Sequence, residues 1–167
     1  MLPLIRTLYD ITLLRKGPEA IPPAWLLLVP VTGLWTFSML AAAALIDRYD
    51  ESVVAMNFFS AVIGLLCYAA VVAASGRGTR MVQTIAAVIG CGTLIFMAAI
   101  AEYVLLQPIL GEDVSADLAT LINLWSVPVE GHIIARAIDR HWYIGILIAM
   151  GVFVLQLVVL NYLSTSR

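Results

Sequence analysis

The run MVQTIAAVIGCGTLIFMAAIAEYVLL occupies residues 81–106 and contains a single charged residue, Glu102. An α-helix rises about 1.5 Å per residue, so about 20 consecutive apolar residues cross the roughly 30 Å hydrocarbon core of a bilayer. This run is longer than that, and no proline interrupts it before Gln107-Pro108 closes it. The stretch therefore predicts a transmembrane helix, and with it a membrane protein.

The composition of the whole chain agrees with this prediction. Of its 167 residues, 62% are hydrophobic and 12% are charged, and the mean hydropathy is +1.00. A soluble domain is about 45–50% apolar and about 25% charged, and a chain this short could not hide the excess apolar surface from water. The balance of 9 Lys and Arg against 11 Asp and Glu, with no basic run, also excludes a nucleic-acid-binding module.

Four further apolar stretches are long enough to cross the membrane. Polar clusters end them, such as Asp47-Arg48-Tyr49-Asp50-Glu51 after the first and Gly76-Arg77-Gly78-Thr79-Arg80 after the second. The fourth is the least apolar and contains Pro128, so it is either a full span or a re-entrant segment. We predict an all-α bundle of five transmembrane helices in one domain over 1–167, with spans at 24–46, 53–75, 81–106, 116–138 and 142–163.

The distribution of basic residues between the loops predicts the orientation of the bundle. With a cytoplasmic N-terminus, the outer side keeps only Arg48 and Arg167, and the inner side holds seven of the 9 basic residues: Arg6, Arg15, Lys16, Arg77, Arg80, Arg136 and Arg140. Cytoplasmic loops of membrane proteins carry such an excess of Lys and Arg. We therefore predict that the N-terminus lies in the cytoplasm and the C-terminus on the outer side of the membrane.

Residues 1–16 precede the first span and have a helical pattern of their own. Leu4, Ile5, Leu8 and Ile11 fall on one face, and the charged residues fall elsewhere. The pattern predicts an amphipathic helix that lies in the cytoplasmic headgroup layer, with a frayed, solvated tail as the alternative. Gly17-Pro18 then breaks the helix and turns the chain toward the membrane.

Ionisable side chains inside the fourth span are the first candidate functional residues, because a charge in the bilayer costs about 2.5–3.5 kcal/mol on insertion scales. Glu130 lies about 12 Å inside this span at about 1.5 Å per residue, His132 is nearer the cytoplasm, and Arg136 shares a helix face with His132. Glu130 and His132 could form a proton- or substrate-handling pair in a cavity that opens inward. The alternative is a structural contact between Glu130 and polar residues of the third span, which are Gln83, Thr84 and Arg80.

A second polar contact is predicted near the outer end of the third span. Glu102 should lie at the depth of Asn57 on the second span, which predicts a hydrogen bond between them. A metal site is not predicted, because the two cysteines and two histidines lack any ligand spacing. A haem between His132 and His141 is set aside, because the two side chains would lie at different depths, and we predict no cofactor.

Small residues predict where the spans pack against each other, since lipid provides no hydrophobic drive between helices. Ser60 and Gly64 on the second span, and Ala86 and Gly90 on the third, form small-xxx-small pairs. We predict that these two spans pack closely through these pairs, with dimerisation through the same faces as the alternative.

Three strings resemble those of uncharacterised inner-membrane proteins of proteobacteria. They are Leu14-Arg15-Lys16-Gly17-Pro18-Glu19; then Arg80-Met81-Val82-Gln83-Thr84 with Gly90-Cys91-Gly92-Thr93; and Trp125-Ser126-Val127 with Gly131-His132-Ile133-Ile134-Ala135-Arg136-Ala137. The group is loosely similar to the Yip1-type five-span family, whose eukaryotic relatives are membrane-trafficking factors. The resemblance implies the fold and a location in a bacterial inner (cytoplasmic) membrane, where the C-terminus would lie in the periplasm. It also draws attention to the residues within its strings: Gln83, Gly131, His132 and Arg136.

The absence of a nucleotide or metal motif from the sequence, and of any predicted domain outside the membrane, favours a function without catalysis. We predict an accessory or scaffold subunit of a larger inner-membrane complex, in contact with lipid and with other subunits or with itself, and not with nucleic acid. The alternative is a small oligomeric transporter or channel component that works through Glu130 and His132. A membrane enzyme is the third possibility, and the sequence offers neither the nucleophile nor the metal site that it would need.

Overall fold

The computed structural model describes residues 2–46 and 51–165. Arg48 and Arg167, which the predicted topology assigns to the outer side, lie outside the described residues, as do the other members of 47–50. The described residues form no strand. They form seven α-helices, namely α1 (Leu2–Thr12), α2 (Leu28–Leu45), α3 (Glu51–Ala74), α4 (Met81–Leu110), α5 (Glu112–Leu124), α6 (Ser126–Ile138) and α7 (Trp142–Thr165).

Five helical stretches are long and apolar enough to cross a membrane, as predicted. They are Trp25–Leu45, Ser52–Ala74, Gly78–Leu110, Glu112–Ile138 and Trp142–Tyr162. The third is longer than predicted, because α4 passes through Pro108, which lies in its last turn. The helix ends instead where Gly111 adopts a φ of 84°, a left-handed conformation that glycine tolerates without strain.

The fourth stretch contains a kink rather than a reversal of the chain. Pro128 has no N–H to donate to the carbonyl of Leu124, and α5 ends at Leu124. Trp125 nevertheless keeps near-helical angles, φ −62° and ψ −19°, and its carbonyl accepts a 3.4 Å hydrogen bond from the N–H of Val129. The chain therefore continues in the same general direction from α5 into α6, and the re-entrant alternative does not describe the fold.

Helix α4 is the centre of the bundle. In its most apolar window 56% of the residues are buried, against 17% in the windows that contain α2, α3 and α7. It packs against α1, α2, α3, α5 and α6, whereas α7 packs mainly against α6 and α3. The buried surface of α4 therefore fixes the relative positions of most other helices.

The closest approach of two helices is between α6 and α7. A Cβ atom on Gly131 would lie 2.8 Å from the backbone N and Cα of Ile146. A Cβ on Gly145 would collide with the carbonyl oxygen of Gly131 and would lie 2.7 Å from the Cβ of Ala135. Each glycine is needed for this contact because the two backbones touch directly.

The two glycines of the small-residue pairs that were predicted to join the second and third spans face other helices, so the prediction is wrong for Gly64 and Gly90. A Cβ on Gly90 of α4 would lie 2.6 Å from Cδ2 of Leu8 in α1. Gly64 of α3 faces α7, where its nearest neighbour is the side-chain nitrogen of Gln156, and the carbonyl of Ser60 accepts a 3.0 Å hydrogen bond from that nitrogen. A cavity separates this part of α3 from α4, and Ala86 is buried.

Helix α1 packs part of its predicted apolar face against the bundle. Leu8 and Ile11 are fully buried, whereas Ile5, which was predicted on the same face, is exposed, as are Arg6 and Tyr9. The helix ends earlier than the predicted break at Gly17-Pro18, because Leu14 adopts a left-handed φ of 60° and the N–H of Arg15 bonds to the carbonyl of Asp10 at 2.9 Å. This is the hydrogen-bonding pattern of a Schellman motif, with leucine where glycine is usual.

Candidate functional site

Glu130 of α6 lies inside the bundle and is hydrogen-bonded to a tyrosine. The hydroxyl of Tyr68 on α3 donates to Oε2 of Glu130 at 2.5 Å. Tyr68 is fully buried, whereas Glu130 is only partly buried because it lines a cavity. The tyrosine therefore holds one carboxylate oxygen in place, and the carboxyl group is still in contact with open space.

Two cavities meet at Glu130. The one that also contains Tyr68, which we name the inner cavity, has a volume of about 210 Å³ and is lined by α2, α3, α4, α6 and α7. The one that contains Asn57, which we name the outer cavity, has a volume of about 540 Å³ and is lined by all six helices from α2 to α7. They share five lining residues, which are Trp35, Ala61, Gly92, Glu130 and Gln156.

Three side-chain amides line the outer cavity, and each is fixed by a hydrogen bond to a helix carbonyl. Asn57 donates to Val53 at 3.0 Å, Asn123 donates to Ala119 at 2.8 Å, and Gln156 donates to Ser60 at 3.0 Å. A carbonyl oxygen can only accept, so the NH₂ group of each amide must be the donor. Each amide therefore keeps its oxygen and its second N–H for other partners.

The charge in both cavities comes from one residue. Glu130 is the only acidic residue among the described lining residues, and none of these residues is Lys, Arg or His. The remaining polar lining is neutral, and it includes the hydroxyls of Ser60, Thr120 and Ser126 in the outer cavity. The lining thus combines one acidic group with neutral hydrogen-bonding groups.

His132 does not join Glu130, although the two were predicted to form a pair. Residues i and i+2 of a helix point in different directions, and Nε2 of His132 lies 3.1 Å from the backbone carbonyl oxygen of Lys16. Arg136, on the same face as His132, lies 3.7 Å from Glu19. The structure therefore brings His132 and Arg136 together with the N-terminal segment and leaves Glu130 with Tyr68.

Residues 8–21, which we name the N-terminal strap, are held by side chains of α4 and α6. Gln83 donates to the carbonyl of Ile21 at 2.6 Å, and Nε1 of Trp125 donates to the carbonyl of Thr12 at 3.1 Å. Inside the strap, Lys16 forms a 2.8 Å ion pair and hydrogen bond with Asp10, which lowers the pKa of Asp10 from its ordinary value. Together with the contacts of His132 to Lys16 and of Arg136 to Glu19, these bonds hold the strap against the bundle.

The predicted structural partners of Glu130 have other partners. Gln83 is bonded to Ile21, the hydroxyl of Thr84 donates to the carbonyl of Arg80 at 2.8 Å, and Arg80 donates to the carbonyl of Arg136 at 3.1 Å. All three lie in or just before the first turn of α4, whereas Glu130 shares its cavities with Gly92, two to three turns further along. The prediction of this contact is wrong because it placed Glu130 too near the end of the bundle.

The predicted hydrogen bond between Glu102 and Asn57 is also wrong. Oε1 of Glu102 accepts a 2.8 Å hydrogen bond from Ser115 of α5, and its Oε2 has no hydrogen-bond partner. Asn57 instead bonds to the backbone of its own helix and faces the outer cavity. Glu102 is buried between α4 and α5 and does not line either cavity.

The sequence did not identify Tyr68, Asn123 or Gln156 as site residues. Each is an uncharged polar or amphipathic residue within a predicted span, which was the available signal. Among the described residues, no group of three or more His, Cys, Asp and Glu could hold a metal ion. Cys67 and Cys91 are free thiols within α3 and α4.

Comparisons with protein-family models, with curated proteins and with solved structures each return no match to this chain. The similarity to proteobacterial inner-membrane proteins and to the Yip1-type family therefore stays a prediction. The function has to be argued from the geometry at Glu130.

Proposed function

We propose that this chain is a small membrane transport or channel protein, and that its solute site is the pair of cavities that meet at Glu130. The observation that carries this proposal is the position of Glu130, a partly buried acidic residue, at the junction of two cavities inside a bundle of apolar helices. An ionisable group within membrane helices is unfavourable and is usually found where it faces a pathway for ions or substrates.

The cavities lie along the middle of α3, which supports a path through this part of the bundle. Asn57 in the outer cavity lies about 9 Å from the start of α3, and Tyr68 in the inner cavity lies about 9 Å from its end, at about 1.5 Å per residue. Glu130 is bonded to Tyr68 and belongs to both cavities. A solute that moved along α3 would therefore pass the carboxyl group.

The charged residues at the two ends of α4 support the predicted orientation in a bacterial inner membrane. Basic residues gather where α4 begins. Arg80 donates a hydrogen bond to the backbone carbonyl of Arg136, and the neighbouring Arg77 forms a 3.0 Å ion pair with Asp139. Acidic residues, Glu112 and Asp113, follow its last turn. We propose that the basic end is cytoplasmic and that α1 and the strap lie in the headgroup layer at that end.

Solute permeation in proteoliposomes tests the proposal. The purified protein is reconstituted, and shrinking and reswelling after a hyperosmotic step are followed by light scattering with glycerol, urea, ammonium chloride and tetramethylammonium chloride. We expect the protein to accelerate entry of at least one solute, and Glu130→Gln to lower that acceleration about tenfold, because a hydrogen bond to a charged group is worth about 1.5–3 kcal/mol.

The matched control is Glu102→Gln, which changes a buried carboxyl group outside both cavities and should permeate like the original protein. Glutamine at position 130 can still accept the hydrogen bond from Tyr68, so a gross loss of fold is not expected. If no solute in the panel enters faster than in empty liposomes, or if Glu130→Gln has no effect, the transport proposal is wrong.

A second proposal, that the chain is an accessory or scaffold subunit, is supported by one face of α2. Gly33 has open space where a Cβ would be, and the neighbouring Val29, Phe37 and Leu40 are 60–65% exposed. An open glycine on an apolar helix allows close approach of a partner helix. Purification from native membranes in mild detergent separates the two proposals. Foreign subunits that co-purify in stoichiometric amounts with the original protein, and that are lost from the Gly33→Leu variant, would favour the accessory role.

A further inference from the structure

The lining of the outer cavity indicates the class of solute, and this inference rests on the transport function proposed above. We propose that the outer cavity binds a small organic cation, a protonated amine or a quaternary ammonium ion, with its charged group at the carboxylate of Glu130. Three observations point to this ligand: the charge of the cavity, its aromatic residues and its size.

The charge of the cavity favours a cation. Glu130 supplies a carboxylate and the described lining residues supply no basic group, so a positive ligand would be the counterion of the site. In the low-dielectric interior of the bundle this attraction is stronger than in water. An anion would find no basic partner among the described lining residues, so carboxylates and phosphates are poorer ligands of this cavity than cations.

The amides of the outer cavity provide acceptors for a cation. Asn57, Asn123 and Gln156 each use one N–H on a helix carbonyl and keep an amide oxygen and a second N–H. An ammonium group has donors and no acceptor, so it can bond to these oxygens. The amides are therefore compatible with a cation, and the charge, the aromatic residues and the size of the cavity are what favour it.

Aromatic rings and the size of the cavity distinguish an organic cation from a metal ion. Trp35, Phe96 and Phe153 line the outer cavity, and aromatic faces attract ammonium groups within about 6 Å. The cavity volume of about 540 Å³ is many times the volume of about 30 Å³ that one water molecule occupies in the liquid. A bare ion would leave most of this space to water beside apolar rings, whereas the hydrocarbon part of an organic cation would fill it.

Binding of benzylammonium tests the inference, with benzyl alcohol as a neutral molecule of nearly the same shape. Both are titrated by calorimetry into the protein in lipid nanodiscs at pH 7, and the heat from empty nanodiscs is subtracted. We expect saturable binding of benzylammonium, and binding of benzyl alcohol at least about tenfold weaker, since the alcohol lacks the charge. Tetramethylammonium serves as a second cation that cannot donate a hydrogen bond.

The variants separate a charge effect from a loss of fold. Glu130→Gln should weaken benzylammonium binding about tenfold and leave the affinity for benzyl alcohol unchanged, while Glu102→Gln should bind both like the original protein. Equal binding of the amine and the alcohol, unchanged binding by Glu130→Gln, or no binding of either cation would overturn the inference. Cation binding without solute permeation would support the cation site and contradict the transport function. Permeation of a neutral solute without cation binding would support the transport function and contradict the cation site.

Discussion

Gly145→Val is expected to destabilise the protein more than any other single change described above. The new Cβ would collide with the carbonyl oxygen of Gly131 and would lie 2.7 Å from the Cβ of Ala135, so α6 and α7 would have to separate. Overpacking of this kind costs about 3 kcal/mol when backbone has to move. Because Glu130 is on α6 and Gln156 is on α7, both cavities would be distorted as well. The measurement is the free energy of unfolding in mixed detergent micelles, followed by loss of helical circular dichroism.

The control for this prediction is Gly151 on the same helix. A Cβ there has no neighbour within 4 Å, so Gly151→Val introduces the same side chain without a collision. We expect it to change the free energy of unfolding by less than about 0.5 kcal/mol. A similar loss of stability in both variants would mean that valine disturbs α7 wherever it is placed. In that case the close contact between α6 and α7 would not be the reason that position 145 needs glycine.

Leu8→Ala is expected to have the second largest effect, by loosening the N-terminal strap. Leu8 is 1% exposed and fills the space above Gly90, where α4 has no side chain. Removing its isopropyl group leaves a cavity between α1 and α4, and such changes cost about 2–5 kcal/mol in well-packed sites. We expect about 2 kcal/mol, because a displaced α1 can still lie against lipid, and we expect faster proteolysis within residues 8–21.

Ile5→Ala provides the comparison within the same helix. Ile5 is 43% exposed, so its truncation should cost less than about 0.5 kcal/mol and leave the rate of proteolysis unchanged. Equal effects of the two truncations would show that α1 contributes through its overall apolarity. In that case the contact of Leu8 with Gly90 would not be what holds the strap.

The helices of spanning length could be predicted from the sequence because their signal is local. A run such as 81–106 exceeds the length that a bilayer requires, and polar clusters end the runs. The apolar face of α1 was equally visible, since Leu8 and Ile11 recur at helical spacing beside charged residues. The kink before Pro128 follows from the missing N–H of proline.

The packing partners could not be predicted, because nearly every face of the spanning helices is apolar. A helix that is hydrophobic all round gives no periodic signal for the side that faces its neighbours. The small residues at Gly64 and Gly90 were correctly seen as sites of close approach, but small size alone does not name the partner. Their partners are a glutamine on α7 and a leucine on α1, far away in the sequence.

The site was predicted in part. Glu130 was identified because a charge within a span is conspicuous, but its partner Tyr68 is 62 residues away and looks like any aromatic residue in an apolar run. His132, Arg136 and Gln83 were identified by the same criterion and by the family resemblance, and they hold the strap through its backbone carbonyls and through Glu19. A backbone carbonyl as a partner has no signature in the sequence.

The most direct test of a path through the bundle is the accessibility of single cysteines on α3 to a charged thiol reagent. After Cys67 and Cys91 are replaced by alanine, cysteine is introduced at Asn57 or Leu65, which line the outer and inner cavities, and at Phe59 or Leu66, which are 58% and 64% exposed on the outside of the bundle. Trimethylammonium-ethyl methanethiosulfonate is applied to spheroplasts and to inverted membrane vesicles. We expect Asn57→Cys to react from the periplasmic side, Leu65→Cys to react from the cytoplasmic side, and the two lipid-facing positions to remain unmodified. If the cavity positions react no faster than Phe59→Cys and Leu66→Cys, the cavities are closed to water and Glu130 does not lie on a path across the membrane.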